Sequence, residues 1–220
     1  MNKNLLQCGG VIALAAIVAS SAHGSIRITE AMSSSNGSGT PTPDWIEVTN
    51  YGASSVSLAG WRMDDSSFNF AVSVALSGIT TIGAGESVVF IESAAGAGIA
   101  SFRTFWGGLT GVQVGFYSGS GVGLSSGGDG VGLFNASNAL VTQVSFGAAT
   151  SGSSFFWGYD LAGSIDPSYN GLVSTVGTIG TQVAAAASGD VGSIGSAIGV
   201  PAPGALALLG VAGIVGRRRR

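Results

Sequence analysis

The chain is poor in the side chains that most enzymes use for catalysis. Its 220 residues contain one cysteine, Cys8, one histidine, His23, and one lysine, Lys3. All three precede residue 25, so the rest of the sequence has none of them. Their absence excludes disulfide bonds from that long stretch. It also excludes zinc sites made of cysteine and histidine, and the common pairing of a nucleophile with a histidine base.

Positive charge is also scarce. Residues 25–200 carry three arginines, Arg27, Arg62 and Arg103, against all eleven acidic residues, a formal charge of −8. Binding to nucleic acid through its phosphates requires clustered lysine and arginine, so we expect no nucleic-acid partner. About 175 residues are enough for one domain with its own core.

The amino terminus has the pattern of a secretory signal peptide over residues 1–24. Lys3 gives a basic start, residues 9–19 form an apolar run, and small residues follow it. This order is typical of a segment that signal peptidase removes, here after Ala22 or Gly24. The pattern therefore predicts export.

The carboxyl terminus has a second three-part pattern over residues 200–220. It consists of a short proline motif, an apolar stretch over residues 205–216 and a basic cluster. As a helix, the apolar stretch would span about 18 Å, against roughly 30 Å for the hydrocarbon core of a bilayer. A short apolar helix held by arginines on the cytoplasmic side would be a marginal, transient anchor in the inner membrane. The motif and the cluster comprise Pro201, Ala202, Pro203, Gly204, Arg217, Arg218, Arg219 and Arg220.

This tail resembles the PEP-CTERM sorting signals of bacteria with a Gram-negative type of envelope. The family has Pro-Glu-Pro where this chain has Pro201-Ala202-Pro203, so Ala202 replaces the usual glutamate. The resemblance implies processing by an exosortase-like enzyme. It also implies a membrane-anchored intermediate that is then released to the cell surface or extracellular matrix.

Between the two ends the sequence predicts an all-β domain. Short β-branched and aromatic runs alternate with turn signals rich in glycine. Over Ser25–Met32 the alternation places Ile26, Ile28 and Met32 on one face. Ser87–Ile91 is nearly all apolar, as in a central strand. Val131–Phe134 and Val141–Phe146 predict a hairpin, and one short helix is expected near Ile99–Phe105.

Five segments of this body resemble the lamin tail domain in order and spacing. The most distinctive are Asp44-Trp-Ile-Glu-Val-Thr-Asn50 and Val56-Ser-Leu-Ala-Gly-Trp61, followed by residues 82–90, 128–135 and 140–146. The resemblance covers residues 25–160 and implies an immunoglobulin-like β-sandwich with no shared catalytic residues. Residues 161–199, rich in Gly, Ser and Ala, are predicted to be an extension and linker.

Carboxylates are the remaining candidates for chemistry. Asp64 and Asp65 are adjacent, with Asp44 and Glu47 nearby in sequence, and paired carboxylates can hydrolyse glycosides when a cleft holds them at a set separation. The favoured alternative is that Asp64-Asp65-Ser66-Ser67 is a solvated loop. Around Asp129, the run Gly127–Gly132 resembles one copy of a calcium-binding β-roll repeat, although a hairpin turn is favoured because such rolls need tandem copies.

Four tryptophans give one further alternative, a carbohydrate-binding face. Trp61 has the periodicity of a core residue, whereas Trp106 and Trp157 lie outside the clean strands and are the better candidates for exposure, with Trp45 as the fourth. We expect no catalytic, metal or cofactor residues. The sequence predicts an exported, non-enzymatic surface or matrix protein whose partners are envelope polysaccharide or surface proteins. A calcium- or carbohydrate-binding module is the alternative, and a carboxylate hydrolase ranks third.

Overall fold

A computed structural model describes residues 26–37, 43–160, 162–178, 182–184 and 189–200. The signal-peptide and sorting-signal predictions, including Ala22, Gly24 and residues 201–220, lie outside these residues. The strands of the described residues are, in chain order, β1 (Ile26–Met32), β2 (Trp45–Asn50), β3 (Val56–Ser57), β4 (Arg62–Asp64), β5 (Val74–Ala75), β6 (Thr81–Ile82), β7 (Ser87–Glu92), β8 (Val114–Tyr117), β9 (Asp129–Phe134), β10 (Leu140–Phe146), β11 (Phe155–Tyr159), β12 (Ile165–Val173), β13 (Gln182–Val183) and β14 (Val191–Gly192).

Two sheets form the body of the protein. The larger has six strands in the order β12-β11-β1-β2-β7-β8, and the smaller has four in the order β10-β9-β4-β5. Two short ladders, β3 with β6 and β13 with β14, complete the structure. The two sheets enclose one apolar core, to which both contribute, as Phe90 and Trp157 do from the larger sheet and Leu133 from the smaller. This architecture confirms the predicted all-β sandwich.

A bulge in β1 changes the face that its later residues occupy. The register between β1 and β2 shifts between Ile28 and Glu30. Ile28 and Ala31 therefore lie in the core between the sheets, whereas Met32 packs in a second cluster on the other face. The prediction that Met32 shares a face with Ile26 and Ile28 is wrong, because strict alternation fails where one strand carries an extra residue.

The second apolar cluster covers the outer face of the larger sheet, the face turned away from the smaller sheet. A 3₁₀ turn at Ala94–Gly96 and helix α1 (Ile99–Phe105) link β7 to β8, which run parallel. Such a crossover needs a connecting segment of this length, and the helix packs Phe102 against Trp45. The predicted helix is confirmed at its predicted bounds. Within the described part of the chain, no helix has the length and apolar character required to cross a membrane.

The predicted hairpin and central strand are also confirmed. β9 and β10 pair antiparallel, and the turn closes with a hydrogen bond from Asn138 N to Asn135 O. β7 lies between β2 and β8, with every residue from Ser87 to Ile91 buried. Its side chains enter the two cores alternately, which explains the almost continuous apolar run.

The six-stranded sheet continues past residue 160, because β12 pairs with β11. Beyond it, the 189–200 segment contacts the outer face of the sheet. Ile194 belongs to the second apolar cluster, and the Tyr51 hydroxyl donates to the Ile198 carbonyl at 2.6 Å. The predicted division into a domain over 25–160 and a linker over 161–199 stays a prediction.

Candidate functional site

Two glutamates face each other on the outer face of the larger sheet. Glu30 of β1 is paired with Glu47 of β2 in the strand register, and neither side chain has any exposed area. The bulge after Ile28 is the local cause, since it lets Thr29 and Glu30, adjacent in sequence, both turn to the outer face. We call Glu30 and Glu47 the sealed pair.

The 189–200 segment supplies donors to both members of the sealed pair. Glu30 Oε1 accepts from Ser193 N at 2.7 Å and its Oε2 accepts from Ser193 Oγ at 2.8 Å. Glu47 Oε2 accepts from Gly195 N at 2.6 Å. The other contacts come from the sheet itself, from the Ser154 hydroxyl to Glu30 and from Thr29 Oγ1 to Glu47 Oε1. Every oxygen of the pair therefore has a donor from the protein.

Burial sets the protonation of the sealed pair. Removal from water raises the pKa of Glu30 to about 7, against the lowering effect of its hydrogen bonds. Burial, reinforced by the charge of Glu30, raises the pKa of Glu47 to about 8. Two adjacent acids with such values share protons at neutral pH. Because neither side chain is exposed, the pair is not accessible to a substrate. Its hydrogen bonds attach the 189–200 segment to the larger sheet.

The structure separates the carboxylates that the sequence grouped as a hydrolytic site. Glu47 lies on the outer face, Asp44 precedes β2 at one end of the sandwich, and Asp64 belongs to β4 of the smaller sheet. Asp64 is fully buried, so its placement in a solvated loop is wrong. Its Oδ2 accepts from Ser67 Oγ at 2.6 Å and Asn69 N at 2.7 Å, which organises the turn after β4.

Asp129 hydrogen-bonds to nearby main chain, as the favoured interpretation predicted. The turn before it is not the predicted hairpin turn, because β9 pairs with β10 and β4 and its hairpin closes after residue 134. Asp129 Oδ1 accepts from the main-chain N–H of Gly130 at 2.8 Å and of Ser66 at 3.1 Å. Its Oδ2 accepts from Ser125 N at 2.6 Å. Both oxygens are therefore engaged with main-chain donors.

A second group of acids lies at the end of the sandwich where β2 begins. Glu92 follows Phe90 by two positions and Asp44 precedes Ile46 by two, so both continue the alternation that points into the core. Both are partly buried and line one pocket of about 450 Å³ together with residues 93, 94, 97 and 98. Glu92 N donates to the Asp44 carbonyl at 2.7 Å, which fixes their spacing along the main chain.

Tyr117, at the end of β8, completes this group. It belongs to the core between the sheets, has no exposed area, and its hydroxyl has no hydrogen-bond partner within the described structure. Burial, followed by the charges of Asp44, Glu92 and Asp129, holds its pKa well above the usual range. We call Asp44, Glu92, Tyr117 and Asp129 the acidic end.

Burial and neighbouring negative charges both disfavour ionisation at the acidic end. Burial raises the pKa of Asp44 to about 7, with further increases from the charges of Glu92 and Asp129. A hydrogen bond from the Leu124 main chain acts in the opposite direction. Among the residues that the structure describes, no three Asp, Glu, His or Cys side chains are grouped closely enough to ligate one metal ion by themselves.

Glu92 and Tyr117 were not predicted from the sequence as candidate site residues. The signal that could have found Glu92 is its parity, since a charged residue two positions after a core phenylalanine must face inward or lie at a strand end. Tyr117 carried no such signal, because an aromatic residue in a strand is normally part of a core.

The tryptophans do not form a surface. Their exposed fractions are 1% for Trp45, 2% for Trp61, 4% for Trp106 and 1% for Trp157. Trp106 packs edge-on against Trp45, with ring centroids 5.8 Å apart, in the second apolar cluster. The alternative of an exposed tryptophan surface is therefore wrong, since Trp157 lies in the core between the sheets and Trp106 lies in the second apolar cluster on the outer face.

Comparison with known proteins agrees with the fold. A search of curated proteins found no match to the chain. The family model described as Lamin Tail Domain matches residues 19–148, more than half of the sequence. That range contains the acidic end and the sealed pair, and it ends before the segment that donates to Glu30 and Glu47. The immunoglobulin-like fold of this family is typically non-catalytic. The chain therefore belongs to the lamin tail domain family.

Proposed function

We propose that this protein is an exported, non-enzymatic component of the cell surface or extracellular matrix. The observation that carries the proposal is the combination of a signal-peptide pattern over residues 1–24 with a PEP-CTERM-like pattern over residues 200–220. Between them lies a lamin tail sandwich. In this proposal, signal peptidase removes the first pattern and an exosortase-like enzyme processes the second after a transient stay in the inner membrane.

The environment of the carboxylates supports a non-enzymatic role. The oxygens of Glu30, Glu47 and Asp129 accept hydrogen bonds from the protein's own donors. Asp64 is buried beneath its turn. A glycosidase needs two carboxyl groups on either side of an accessible bond. Glu30, Glu47 and Asp64 have no exposed area, and Asp129 is held by main-chain donors. Envelope polysaccharide or other surface proteins are the partners that we propose.

A calcium-binding module is the second candidate, and the acidic end favours it. Two partly buried carboxylates line a pocket there. The Tyr117 hydroxyl, on the strand paired beside Glu92, lacks a partner within the described structure. The carbohydrate-binding alternative loses its basis in exposed tryptophans, because all four are buried.

Intact-mass spectrometry of the protein recovered from its native cells, with both termini mapped, tests the proposal. We expect a chain that begins near Ser25 and ends near Pro203. A chain that begins at Met1 would contradict export. A chain that retains Arg217–Arg220 would contradict sorting, and replacing Ala202 by Glu would then show whether that residue blocks processing.

A further inference from the structure

The acidic end contains four side chains contributed by both sheets. Asp44, Glu92 and Tyr117 come from the ends of three neighbouring strands in the larger sheet, and Asp129 begins β9 in the smaller one. Asp129 precedes the core residue Val131 by two positions, so it also faces inward. The strand alternation therefore directs these side chains to the same end of the space between the sheets.

No positive side chain balances this cluster. Arg27 donates to the Gly163 carbonyl, Arg62 to the Ser73 carbonyl, and Arg103 to the carbonyls of residues 109 and 112. These are the arginines of the described chain, and each lies with a main-chain acceptor elsewhere in the fold. Like charges in a partly buried site are unfavourable unless a cation joins them.

The unpartnered hydroxyl of Tyr117 is a second observation that points to a ligand at the acidic end. A buried hydroxyl without a partner is costly, and most such groups in native proteins have one. Here the charges acting on the phenol are those of the acidic cluster, with Asp44 the largest. A bound ion with its water ligands would supply an acceptor for this hydroxyl.

The loop at residues 119–123 lies close to Glu92. A side chain at Gly119 would place its first carbon 1.7 Å from Glu92 Oε1, and at Gly123 the corresponding separation from Oε2 is 3.7 Å. With glycine at 119, the Glu92 carboxylate can therefore pack directly against the main chain of this loop. Calcium is commonly held by carboxylates together with main-chain carbonyls and water.

We propose that the acidic end binds Ca²⁺, with Asp44 and Glu92 as its carboxylate ligands. Asp129 adds negative charge without ligating, because both of its oxygens accept main-chain hydrogen bonds. Tyr117 hydrogen-bonds to a water or ligand atom at the ion. Two carboxylates make a weak site, in the class with dissociation constants on the order of 0.1–1 mM that extracellular modules use. The inference deepens the calcium alternative and rests on export, since that range suits calcium outside the cell.

The experiment is a calcium titration of the full-length chain at constant ionic strength, followed by thermal unfolding. For the wild type we expect the melting temperature to rise by about 3–10 °C at 10 mM CaCl₂. MgCl₂ should give a smaller rise, because Mg²⁺ demands stricter geometry. Glu92→Gln and Asp44→Asn should lose the calcium response. Asp160→Asn, the same charge change after β11 at the other end of the sandwich, should keep it.

Terbium provides a second measurement that does not depend on stability. Tb³⁺ bound at the acidic end should luminesce on excitation of the protein, and Ca²⁺ should displace it. No melting shift and no displaceable luminescence in the wild type would overturn the proposal. So would a Glu92→Gln variant that folds, by its circular dichroism, and responds like the wild type. Both readouts use purified protein, so a failed calcium site is distinguishable from a failure of export or sorting.

Discussion

The sealed pair lies on the outer face of the larger sheet, whereas Asp44 and Glu92 of the acidic end face the space between the two sheets. Burial raises the pKa of Glu30, Glu47 and Asp44 alike. At the sealed pair every carboxylate oxygen meets a donor from the protein. At the acidic end a pocket remains open and Tyr117 has no partner in the described structure.

The comparison shows that a raised pKa alone does not distinguish a structural carboxylate from one that binds a ligand. Desolvation acts on both groups. What separates them is whether the fold itself satisfies the acid, as it does for Glu30 through Ser193. Substitutions in the sealed pair and at the acidic end test this criterion.

The largest expected effect is a dependence of stability on pH that originates at the sealed pair. The ordinary glutamate value is 4.5, and the folded values are about 7 for Glu30 and about 8 for Glu47. The native state therefore holds more protons than the unfolded chain between about pH 4.5 and 8, so stability is highest below this window and falls as pH rises through it. We expect a fall on the order of 4 kcal/mol, measured by urea unfolding from pH 5 to pH 8.5.

Glu47→Gln is the control for that profile. Its amide oxygen can still accept from Gly195 N, and its amide NH2 can donate to the Thr29 hydroxyl, without a titrating group. The slope should therefore become clearly shallower. The residual slope belongs to Glu30 and Asp44, whose pKa values are raised in the same direction. A variant profile parallel to that of the wild type would place the pH dependence outside the sealed pair.

The next effect is the removal of one carboxylate from each group. Glu30→Ala leaves the N–H and the hydroxyl of Ser193 without their acceptor in a buried site. We expect it to lower the free energy of unfolding by about 3 kcal/mol or more at pH 6. Glu92→Ala should change it by less than about 1 kcal/mol in calcium-free buffer, because the lost side chain is partly exposed and its charge repels Asp44. Equal losses would remove the distinction between the two groups.

The smallest effect compares two buried tyrosines. The Tyr159 hydroxyl donates to the Ile28 carbonyl at 2.8 Å, whereas the Tyr117 hydroxyl has no partner in the described structure. Without calcium, Tyr159→Phe should destabilise the protein by about 1 kcal/mol, and Tyr117→Phe should be neutral or slightly stabilising. Chemical denaturation of both variants measures the difference. A Tyr117→Phe loss as large as that of Tyr159→Phe would mean that its hydroxyl is already satisfied.

Much of the sandwich was predictable because strand alternation is a local property. The period-two pattern placed Ile26 and Ile28 on one face, and both lie in the core between the sheets. The hairpin of β9 and β10 followed from two apolar runs around a short polar turn. Helix α1 was recognised at Ile99–Phe105. Each of these elements depends on neighbours within a few residues.

The candidate sites were less predictable because they depend on contacts between distant residues. Glu30 is buried because a bulge turns it outward and because Ser193 covers it, and alternation reports neither. Trp106 is buried for a similar reason, since the layer that covers it comes from a helix and a distant segment. Asp64 was misjudged because the turn after β4 folds back over its carboxylate.

The span between Glu30 and its donors has a consequence for the order of folding. Ser193 lies 163 residues after Glu30 in the chain. A chain synthesised from its amino terminus thus completes its first strand long before the residues that satisfy it exist, and closing so long a loop is entropically costly and slow. A chain truncated before Ser193 lacks the donors that Ser193 and Gly195 provide to Glu30 and Glu47. We therefore expect such a chain to be degraded faster than the full-length protein.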